Sequence, residues 1–324
     1  MTDGRGLFEH AKLSAPRREH GYCVDDVARA LVVLCREPAP DQRVKRLANL
    51  YLTFVLSAID PLGACHNRMD AEGQWRDVAS LGDWWGRAVW GLGYCAAHAH
   101  TAGMRARALV GFRIAAGRRS PHVRAMVFAA LGAAEVLGTR TTEPAARSLL
   151  RDAVRAIGPP VTDPGWPWPE PRLAYGNGAL AEALIVSGAA LGDGRAAGHG
   201  LDLLEFLLRV ETRDGHISVT PVGGRGRDDV GPGFDQQPIE VAALADACAS
   251  AFQVTGDADF LAGIRLAWRW FAGDNDSATP MFDRATGGGY DGLECGGRNQ
   301  NQGAESTLAM LSTAQHARRV HGLS

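Results

Sequence analysis

Apolar residues recur at helical spacing along most of the chain. Val27, Ala30, Leu31 and Leu34 follow the i, i+3, i+4 rule behind an acidic start at residues 25–26, which is typical of an amphipathic helix. The same pattern predicts ten further helices, at residues 42–58, 83–101, 105–116, 121–138, 143–157, 177–190, 195–210, 237–255, 257–272 and 302–320. Strands do not alternate with these helices, so the pattern disfavours a doubly wound parallel sheet.

The predicted helices fall into pairs joined by short turns, at residues 37–40, 138–139, 192–194 and 255–257. Hairpins that repeat every ~45–60 residues cannot each bury an apolar face alone, so they stack or close into a ring. Six hairpins close an (α/α)6 barrel, and the sequence supplies five and a half. We therefore expect residues 1–324 to form a single all-α domain, an (α/α)6 toroid that is either incomplete or completed by an unrecognised short helix.

Composition narrows the class of protein. Hydrophobic residues make up 46% and charged residues 22% of the chain, and the net charge is −2 without a basic block, which disfavours nucleic acid and anionic membranes as partners. The polar start lacks the apolar region of a signal peptide, and no stretch is long enough to cross a bilayer. The six cysteines are scattered without CxxC spacing, as expected for reduced thiols in the cytoplasm.

Longer loops separate the helix pairs, and they hold most of the unusual residues. Two loop segments, residues 64–75 and 215–220, have the strand and turn pattern of small β-hairpins. Five others combine carboxylates, amides, glycines and aromatic rings next to a predicted helix. Because the loops that enter the inner helices of such a toroid share one face, we expect these segments to converge there.

Acidic residues mark the first two of these segments. Asp25 and Asp26 begin the first helix, where one carboxylate is explained by the unpaired N–H groups and the dipole of a helix start. Two adjacent carboxylates exceed what capping requires, so we expect Asp26 to face the cavity. Asp83 begins another helix in the same way, followed by Trp84 and, one turn later, Arg87.

Aromatic rings and amides mark the other three. Trp166 and Trp168 are held by prolines on a loop, which predicts a flat platform for the apolar face of a sugar ring rather than a core element. A run of aspartate and glutamines precedes Pro238, which suits the first turn of a helix. The alternating Asn and Gln at residues 299–302 offer the donors and acceptors that a hydroxyl-rich ligand requires.

Neither a metal nor another cofactor is expected. The cysteines and histidines do not have the spacing of a zinc site. The pair Asp25–Asp26 is similar to the acidic magnesium motifs of prenyl-transfer enzymes, but Arg29 stands where a further carboxylate would be needed.

The segments together resemble a family of bacterial (α/α)6 domains that are often fused to, or encoded near, retaining glycosyltransferases. The matching stretches are HGYCVDDVARAL, DWWGRAVWGLG, WPWPEPRLAYGNGALAEALI, DQQPIE, TGGGYDGL and NQNQGAEST, which extend from residue 20 to about residue 312. The fold is also similar to six-hairpin glycosidases and sugar 2-epimerases. The resemblance implies a glycan or sugar substrate and a separate glycosyltransferase as a partner, because eleven helices leave no room for a transferase domain here.

The leading hypothesis is an inverting glycoside hydrolase, which needs a protonated carboxyl and a carboxylate roughly 6.5–9.5 Å apart. We expect a cavity whose catalytic carboxylates are Asp26, Asp83, Glu240 and Glu305. The expected ligand-binding residues are His20, Tyr22, Asp25, Trp84, Arg87, Trp166, Trp168, Glu170, Asn177, Asp235, Gln236, Gln237, Tyr290, Asp291, Asn299 and Asn301. Two alternatives stay open: a sugar epimerase or isomerase that uses His20 or His216 as a proton carrier, and a non-catalytic glycan-binding partner of a glycosyltransferase.

Overall fold

The computed structural model describes residues 1–321, and this part of the chain is built mainly from α-helices. Eleven helices are present among the described residues, which confirms the number expected from the hydrophobic pattern. Their bounds are α1 Val24–Arg36, α2 Gln42–Ala58, α3 Asp83–His98, α4 Ala102–Ala115, α5 Val123–Thr139, α6 Pro144–Ile157, α7 Asn177–Leu191, α8 Gly194–Val210, α9 Pro238–Thr255, α10 Asp259–Ala272 and α11 Ala304–His321. None of the described helices is both long and apolar enough to cross a bilayer.

Within residues 1–321, eight short strands lie in the loops: β1 Ala11–Lys12, β2 Ala15–Pro16, β3 Tyr22–Cys23, β4 Arg68–Met69, β5 Thr212–Arg213, β6 His216–Ile217, β7 Leu293–Glu294 and β8 Gly297–Arg298. The hairpin expected at residues 215–220 forms between β5 and β6. The hairpin expected at residues 64–75 is partly wrong, because β4 pairs with β3 and only a single bridge joins Met69 to Trp75. The hairpin of β7 and β8 was not expected from the sequence.

The chain divides into two compact units. Unit 1 comprises Met1–His10, Ala15–Ile157 and Ala190–Asp193, and unit 2 comprises Ala11–Ser14, Gly158–Ala189 and the residues from Gly194 onward. Helices α1 to α6 lie in unit 1, and α7 to α11 lie mainly in unit 2. The single domain expected over residues 1–324 stays a prediction.

Glycines bring α3 and α5 of unit 1 into backbone contact. A Cβ atom on Gly86 would overlap the carbonyl oxygen of Ala125, and one on Gly93 would overlap that of Gly132. From the first contact to the second, the residue numbers rise by seven on both helices, so α3 and α5 run parallel. Most side chains of α3 from Trp85 onward are buried, as expected for a helix that neighbours cover on several faces.

Helix α1 joins this arrangement through α3. The Arg87 guanidinium lies 3.2 Å from the Asp25 carboxylate, and a Cβ on Gly91 would lie 3.0 Å from the carbonyl oxygen of Ala28. These contacts again advance in step, so α1 and α3 are parallel. The first turns of α1, α3 and α5 therefore lie at one end of unit 1, while the even-numbered helices return the chain.

In unit 2, the first turns of α7, α9 and α11 also lie close together. Glu240 in the first turn of α9 accepts hydrogen bonds from the backbone at the start of α7. The segment before α9 pairs with the segment before α11, because Gln236 and Leu293 exchange two backbone hydrogen bonds of 3.1 and 2.9 Å. The first turns of these three helices therefore share one end of unit 2.

Gly132 tests the close approach of α3 and α5. We expect Gly132→Ala to destabilise the fold by about 1–3 kcal/mol, because overpacking a rigid backbone contact forces the helices apart. A Cβ there would lie 2.6 Å from the Cα of Trp90, which has no flexible end to move. The measurement is the free energy of unfolding from urea denaturation.

Gly138 on the same helix is the matched control, since nothing lies within 4 Å of a Cβ placed there. Gly138→Ala should raise the free energy of unfolding by up to about 1 kcal/mol through helix propensity. Equal effects of the two substitutions would contradict the backbone contact.

Candidate functional site

Two aspartates and two arginines form a buried ionic cluster at the start of α1 and α3. Arg29 donates from Nη1 to Asp26 Oδ1 at 2.8 Å and from Nη2 to Asp25 Oδ2 at 2.9 Å. The Nε of Arg87 lies 3.2 Å from the other Asp25 oxygen. Residues three and four apart share a helix face, so the spacing of Asp25, Asp26 and Arg29 dictates the first part of this cluster.

Aromatic rings hold Arg87 in place. Its guanidinium carbon lies 3.5 Å from the centre of the Phe128 ring and 5.4 Å from the centre of the Trp90 ring. Rings favour a cation over their faces, so these contacts stabilise the buried guanidinium of Arg87. Asp25 is thus flanked by two guanidiniums, those of Arg29 and Arg87.

The two aspartates differ in exposure, and the difference corrects the sequence-based expectation. The side chain of Asp26 is only 5% exposed, whereas that of Asp25 is 25% exposed. Asp25 therefore reaches solvent, whereas Asp26 is buried and shares Arg29 with it. Asp26, which the sequence analysis expects to face the cavity, is thus the more buried of the two aspartates, and Asp25 is the more exposed one.

The two other site residues expected from α3 are Asp83 and Trp84. Asp83 is half-buried as the first residue of α3, one turn before Arg87. Trp84 is half-buried, and its indole Nε1 donates to the carbonyl oxygen of Cys65 at 2.8 Å. Trp84 is thereby fixed with one face partly open.

The residues before α1 have different fates. His20 is exposed in a short 3-10 turn, and its ring packs edge-on against His10. Tyr22 is only 1% exposed, stacks on Phe8 and donates to Asp3 at 2.7 Å. Burial and this carboxylate raise the pKa of Tyr22 to about 12. Tyr22 is a core residue, so the expectation that it binds substrate is wrong.

Glu9, Cys23 and Asp26 are the group in residues 1–321 that could hold a metal ion, with ligand atoms within 4.8 Å of one another. Burial raises the pKa of the Cys23 thiol well above its usual range, and the nearby carboxylates raise it further. The carboxylates of Glu9 and Asp26 are also paired with Arg68 and Arg29. A neutral thiol beside occupied carboxylates is a poor ligand set.

In unit 2, Glu240 caps a helix. It is 5% exposed, and its two oxygens accept from the backbone N–H of Gly176 at 2.6 Å and of Asn177 at 3.3 Å. A carboxylate at a helix start satisfies N–H groups that have no partner within the helix. The expectation of a catalytic Glu240 is therefore wrong: the side chain is occupied in holding α9 against α7.

The proline-flanked tryptophans also pack inward. Trp166 is 8% and Trp168 1% exposed, and both rings contact Phe206 of α8. Trp168 donates from Nε1 to the carboxylate of Glu170 at 3.2 Å, which leaves Glu170 half-buried. The prolines fix the loop, and both rings turn toward Phe206, so the stacking role expected of Trp166 and Trp168 stays a prediction.

A buried hydrogen-bond relay links α10 to a histidine on β6. Trp270 donates from Nε1 to Gln236 at 3.3 Å, and Gln236 donates from Nε2 to Asp276 at 2.6 Å. Asp276 in turn lies 3.0 Å from Nε2 of His216. Burial alone would raise the pKa of Asp276, but hydrogen bonds from Ser218, Gln236 and His216 outweigh it and hold the pKa below its usual value. The ionised Asp276 therefore orients the His216 ring.

This relay corrects one expectation and adds one residue. Gln236 is completely buried, so it positions Asp276 and cannot contact a ligand itself. Asp276 lies in a short loop after α10 and carried no sequence signal beyond its polarity. Only the fold brings it to His216, sixty residues away along the chain.

The remaining expected residues line the starts of the helices of unit 2. Asn177 is fully buried in α7, so its expected role in substrate binding is wrong, and Tyr290 is buried under the guanidinium of Arg298. Asp291 accepts from the Gly303 backbone at 2.7 Å and so caps the approach to α11. The side chains that keep some exposure are Asp235, Gln237, Asn299, Asn301 and Glu305.

Glu240→Ala should destabilise the protein by about 2–4 kcal/mol, because two buried N–H groups at the start of α7 lose their acceptor. Glu240→Gln should cost less, since an amide oxygen can still accept one of the two bonds. Unfolding in urea measures both effects. Glu205→Ala, at an exposed position of α8, is the control and should lie within about 0.5 kcal/mol of the parent protein. A Glu240→Ala variant of unchanged stability would contradict the capping role.

Comparisons with known proteins give matches in structure alone. No protein-family model and no curated protein matches the sequence. A sugar epimerase from a ruminal bacterium is 13% identical, with a TM-score of 0.72 over 98% of this chain and 93% of the other. The cellobiose 2-epimerase from Bacillus thermoamylovorans B4167 is 10% identical, with a TM-score of 0.73 over 99% and 94% of the two chains.

A glycosidase superposes nearly as well. The α-1,6-mannanase of Salegentibacter sp. HEL1_6 is 9% identical, with a TM-score of 0.70 over 98% of this chain and 94% of the other. It was solved as an inactive variant, with two consecutive aspartates replaced by alanine, in complex with α-1,6-mannotetrose. At such low identity these likenesses show the fold: the all-α class of the (α/α)6 toroid enzymes, which confirms the expectation from the helix pairs.

Proposed function

We propose that this protein is a carbohydrate-active enzyme that hydrolyses glycosidic bonds, with Asp25 as the carboxylate that activates water. The observation that carries the proposal is the consecutive pair Asp25–Asp26 at the start of α1, of which Asp25 is partly exposed between two guanidiniums. The fold is shared with enzymes that act on sugars, a mannanase and several epimerases among them.

Arg29 and Arg87 decide the role of Asp25. Arg29 donates to one oxygen of Asp25 at 2.9 Å, and the Nε of Arg87 lies 3.2 Å from the other oxygen. Because a guanidinium lies beside each of its oxygens, Asp25 is not our candidate for the proton donor to the leaving oxygen. It suits the opposite task, in which a carboxylate takes a proton from the attacking water.

Asp83 is the candidate proton donor in unit 1. It precedes Arg87 by four residues, so it lies about 5–6 Å from Arg87 along the same face of α3. Arg87 in turn lies 3.2 Å from Asp25, which connects the starts of α1 and α3 through one side chain. An inverting pair requires carboxyl groups ~6.5–9.5 Å apart to leave room for water, and we propose that Asp25 and Asp83 meet this requirement.

The mannanase supports the choice of the aspartate pair. Its inactive variant lacks two consecutive aspartates, and α-1,6-mannotetrose is bound to it. In this chain the other consecutive pair, Asp228–Asp229, lies in an exposed loop, where Asp229 pairs with the exposed Arg172. α-1,6-linked mannan is therefore the first substrate class to test.

A sugar epimerase is the second candidate, and the His216–Asp276 pair favours it. A histidine whose Nε2 is held by a carboxylate presents Nδ1 as a proton carrier, which is what removal of a proton next to a carbonyl requires. The epimerases among the similar structures add weight to this alternative. His20 lies in an exposed turn and lacks such a carboxylate-oriented geometry.

Three expectations from the sequence stay proposals. Glu305, half-buried in the first turn of α11, is a further candidate carboxylate from unit 2. A separate glycosyltransferase is a proposed partner, with this protein binding the glycan that the transferase extends. A cytoplasmic location is proposed from the composition and the free cysteines.

Asp25→Asn should lower kcat/KM for hydrolysis by about 10²–10⁴-fold, because the amide cannot accept a proton from water. The assay measures reducing ends released from a panel of α- and β-linked manno- and gluco-oligosaccharides, with α-1,6-mannotetrose first. Proton NMR of the first product distinguishes inversion from retention. Asp83→Asn should give a loss of similar size, and it tests the proposal even if Asp25→Asn unfolds.

Asp41→Asn is the matched control. Asp41 is an exposed N-cap of α2, where asparagine caps as well as aspartate, so activity should be unchanged. Deuterium uptake at C2 of mannose or cellobiose in D2O, lost in His216→Gln and kept in Asp25→Asn, would favour the epimerase. A panel that yields neither reducing ends nor exchange, while the protein binds the sugars, would overturn both enzymatic readings.

A further inference from the structure

Unit 2 contains a cavity of about 370 Å³ with a strongly basic lining. The end of α8, the strand β5 and the loops around residues 165–166 and 225–231 form its walls. Its charged and aromatic lining residues are Trp166, Phe206, Arg209, Arg213, Arg225, Arg227 and Asp229. Four guanidiniums face one carboxylate.

Part of this charge is balanced by ion pairs. Arg213 lies 3.3 Å from Asp214, and Arg227 pairs with Asp163. The lining residue Asp229 lies 2.9 Å from Arg172, which does not itself line the cavity. These pairs fix the loops that carry them.

Arg209 and Arg225 make no ion pair with any carboxylate in residues 1–321. Arg209 lies over the Phe206 ring at 5.5 Å from its centre. Arg225 donates to the carbonyl oxygens of Val210 at 2.9 Å and of Ser218 at 3.3 Å, and it is only 8% exposed. A guanidinium has five N–H donors, so these bonds leave N–H groups of Arg225 without a protein acceptor.

The charge of Arg225 acts on two acids, the cavity residue Asp229 and the buried Glu211. Glu211 is 2% exposed, and one oxygen accepts from the backbone N–H and the hydroxyl of Thr220, at 2.9 and 2.5 Å. Burial raises the pKa of Glu211, which the Thr220 bonds and the charge of Arg225 only partly counter. Glu211 is therefore a weak counterion for Arg225.

A nearly buried cation without a paired anion is costly unless a ligand supplies the charge. Guanidinium groups match the planar and tetrahedral oxygens of carboxylates and phosphates. We propose that this cavity binds the oxyanion group, a carboxylate or a phosphate, of an acidic saccharide. The anion site is argued from unit 2 alone, and only its placement on a saccharide rests on the proposed function.

The size and the walls of the cavity fit a single sugar residue. Small-ligand sites measure about 300–1,000 Å³, so the cavity lies at the lower end of that range. Trp166 and Phe206 meet edge to face at 5.4 Å and provide an apolar wall beside the arginines. An acidic sugar could place its oxyanion between Arg209 and Arg225 and its C–H face on that wall.

Calorimetric titration of the whole protein at low ionic strength tests the proposal. The probes are glucuronate, glucose 6-phosphate and inorganic phosphate, with glucose as the neutral control. We expect at least one oxyanion probe to bind, glucose not to bind, and the affinity to fall as salt screens the charges. Arg209→Gln should weaken binding by about tenfold, since a charge-assisted hydrogen bond is lost.

Arg284→Gln is the matched control, because Arg284 is an exposed arginine of unit 2 outside the cavity. Arg225→Lys keeps the positive charge but loses the planar set of N–H donors of the guanidinium. It should therefore weaken binding without unfolding the loop at residues 225–231. Binding of glucuronate alone identifies a carboxylated sugar as the ligand, and binding of glucose 6-phosphate alone a phosphorylated one.

Binding that Arg209→Gln and Arg225→Lys both leave unchanged, or glucose binding as tightly as the acidic probes, would overturn the anion site. Binding of inorganic phosphate without either sugar would limit the site to a free anion and overturn its assignment to a saccharide. Asp25→Asn should leave the titrations unaltered. Arginine-dependent binding in a protein that cleaves no glycan would keep the anion site and reject the hydrolase.

Discussion

The close approach of α3 to α5 is the constraint on which unit 1 depends. Gly86, Gly93 and Gly132 remove the Cβ atoms that would separate the two backbones. With the helices locked in parallel, their first turns share an end, and the ion pair of Arg87 with Asp25 adds α1 to the same end. Asp25 and Asp83 therefore share this end of unit 1, because each lies in the first turn of its own helix.

The extent to which each carboxylate is buried then decides its task. In unit 1 Arg29 pairs with both aspartates, of which Asp25 is the more exposed and Asp26 the more buried. In unit 2 the carboxylate of Glu240 joins two helices, and Asp276 orients His216. Similar residues at similar helix starts thus have different tasks: chemistry requires an exposed and supported group, whereas capping consumes its hydrogen-bonding capacity.

The fold was largely predictable, and the site was predictable in part. Helix α2 has the expected bounds, and the other helices differ from expectation by a few residues at their ends, where caps and not periodicity decide. The sequence pattern identified the segments that hold Asp25, Asp83 and Gln236. It did not predict which side chains of these segments reach solvent. Proline-flanked Trp166 and Trp168 are indistinguishable from an exposed platform in sequence, because the direction in which a loop turns depends on its neighbours, here Phe206.

The sequence by itself determined the helices, their pairing into hairpins and the placement of acids at helix starts, because these follow from local periodicity and from the unpaired N–H groups of a first turn. Only the tertiary structure decided that Asp25 and not Asp26 is exposed, that Asp276 meets His216, and that Arg209 and Arg225 share a cavity without a carboxylate partner. Those outcomes depend on contacts between residues far apart in the chain, and a periodic pattern carries no information about such contacts.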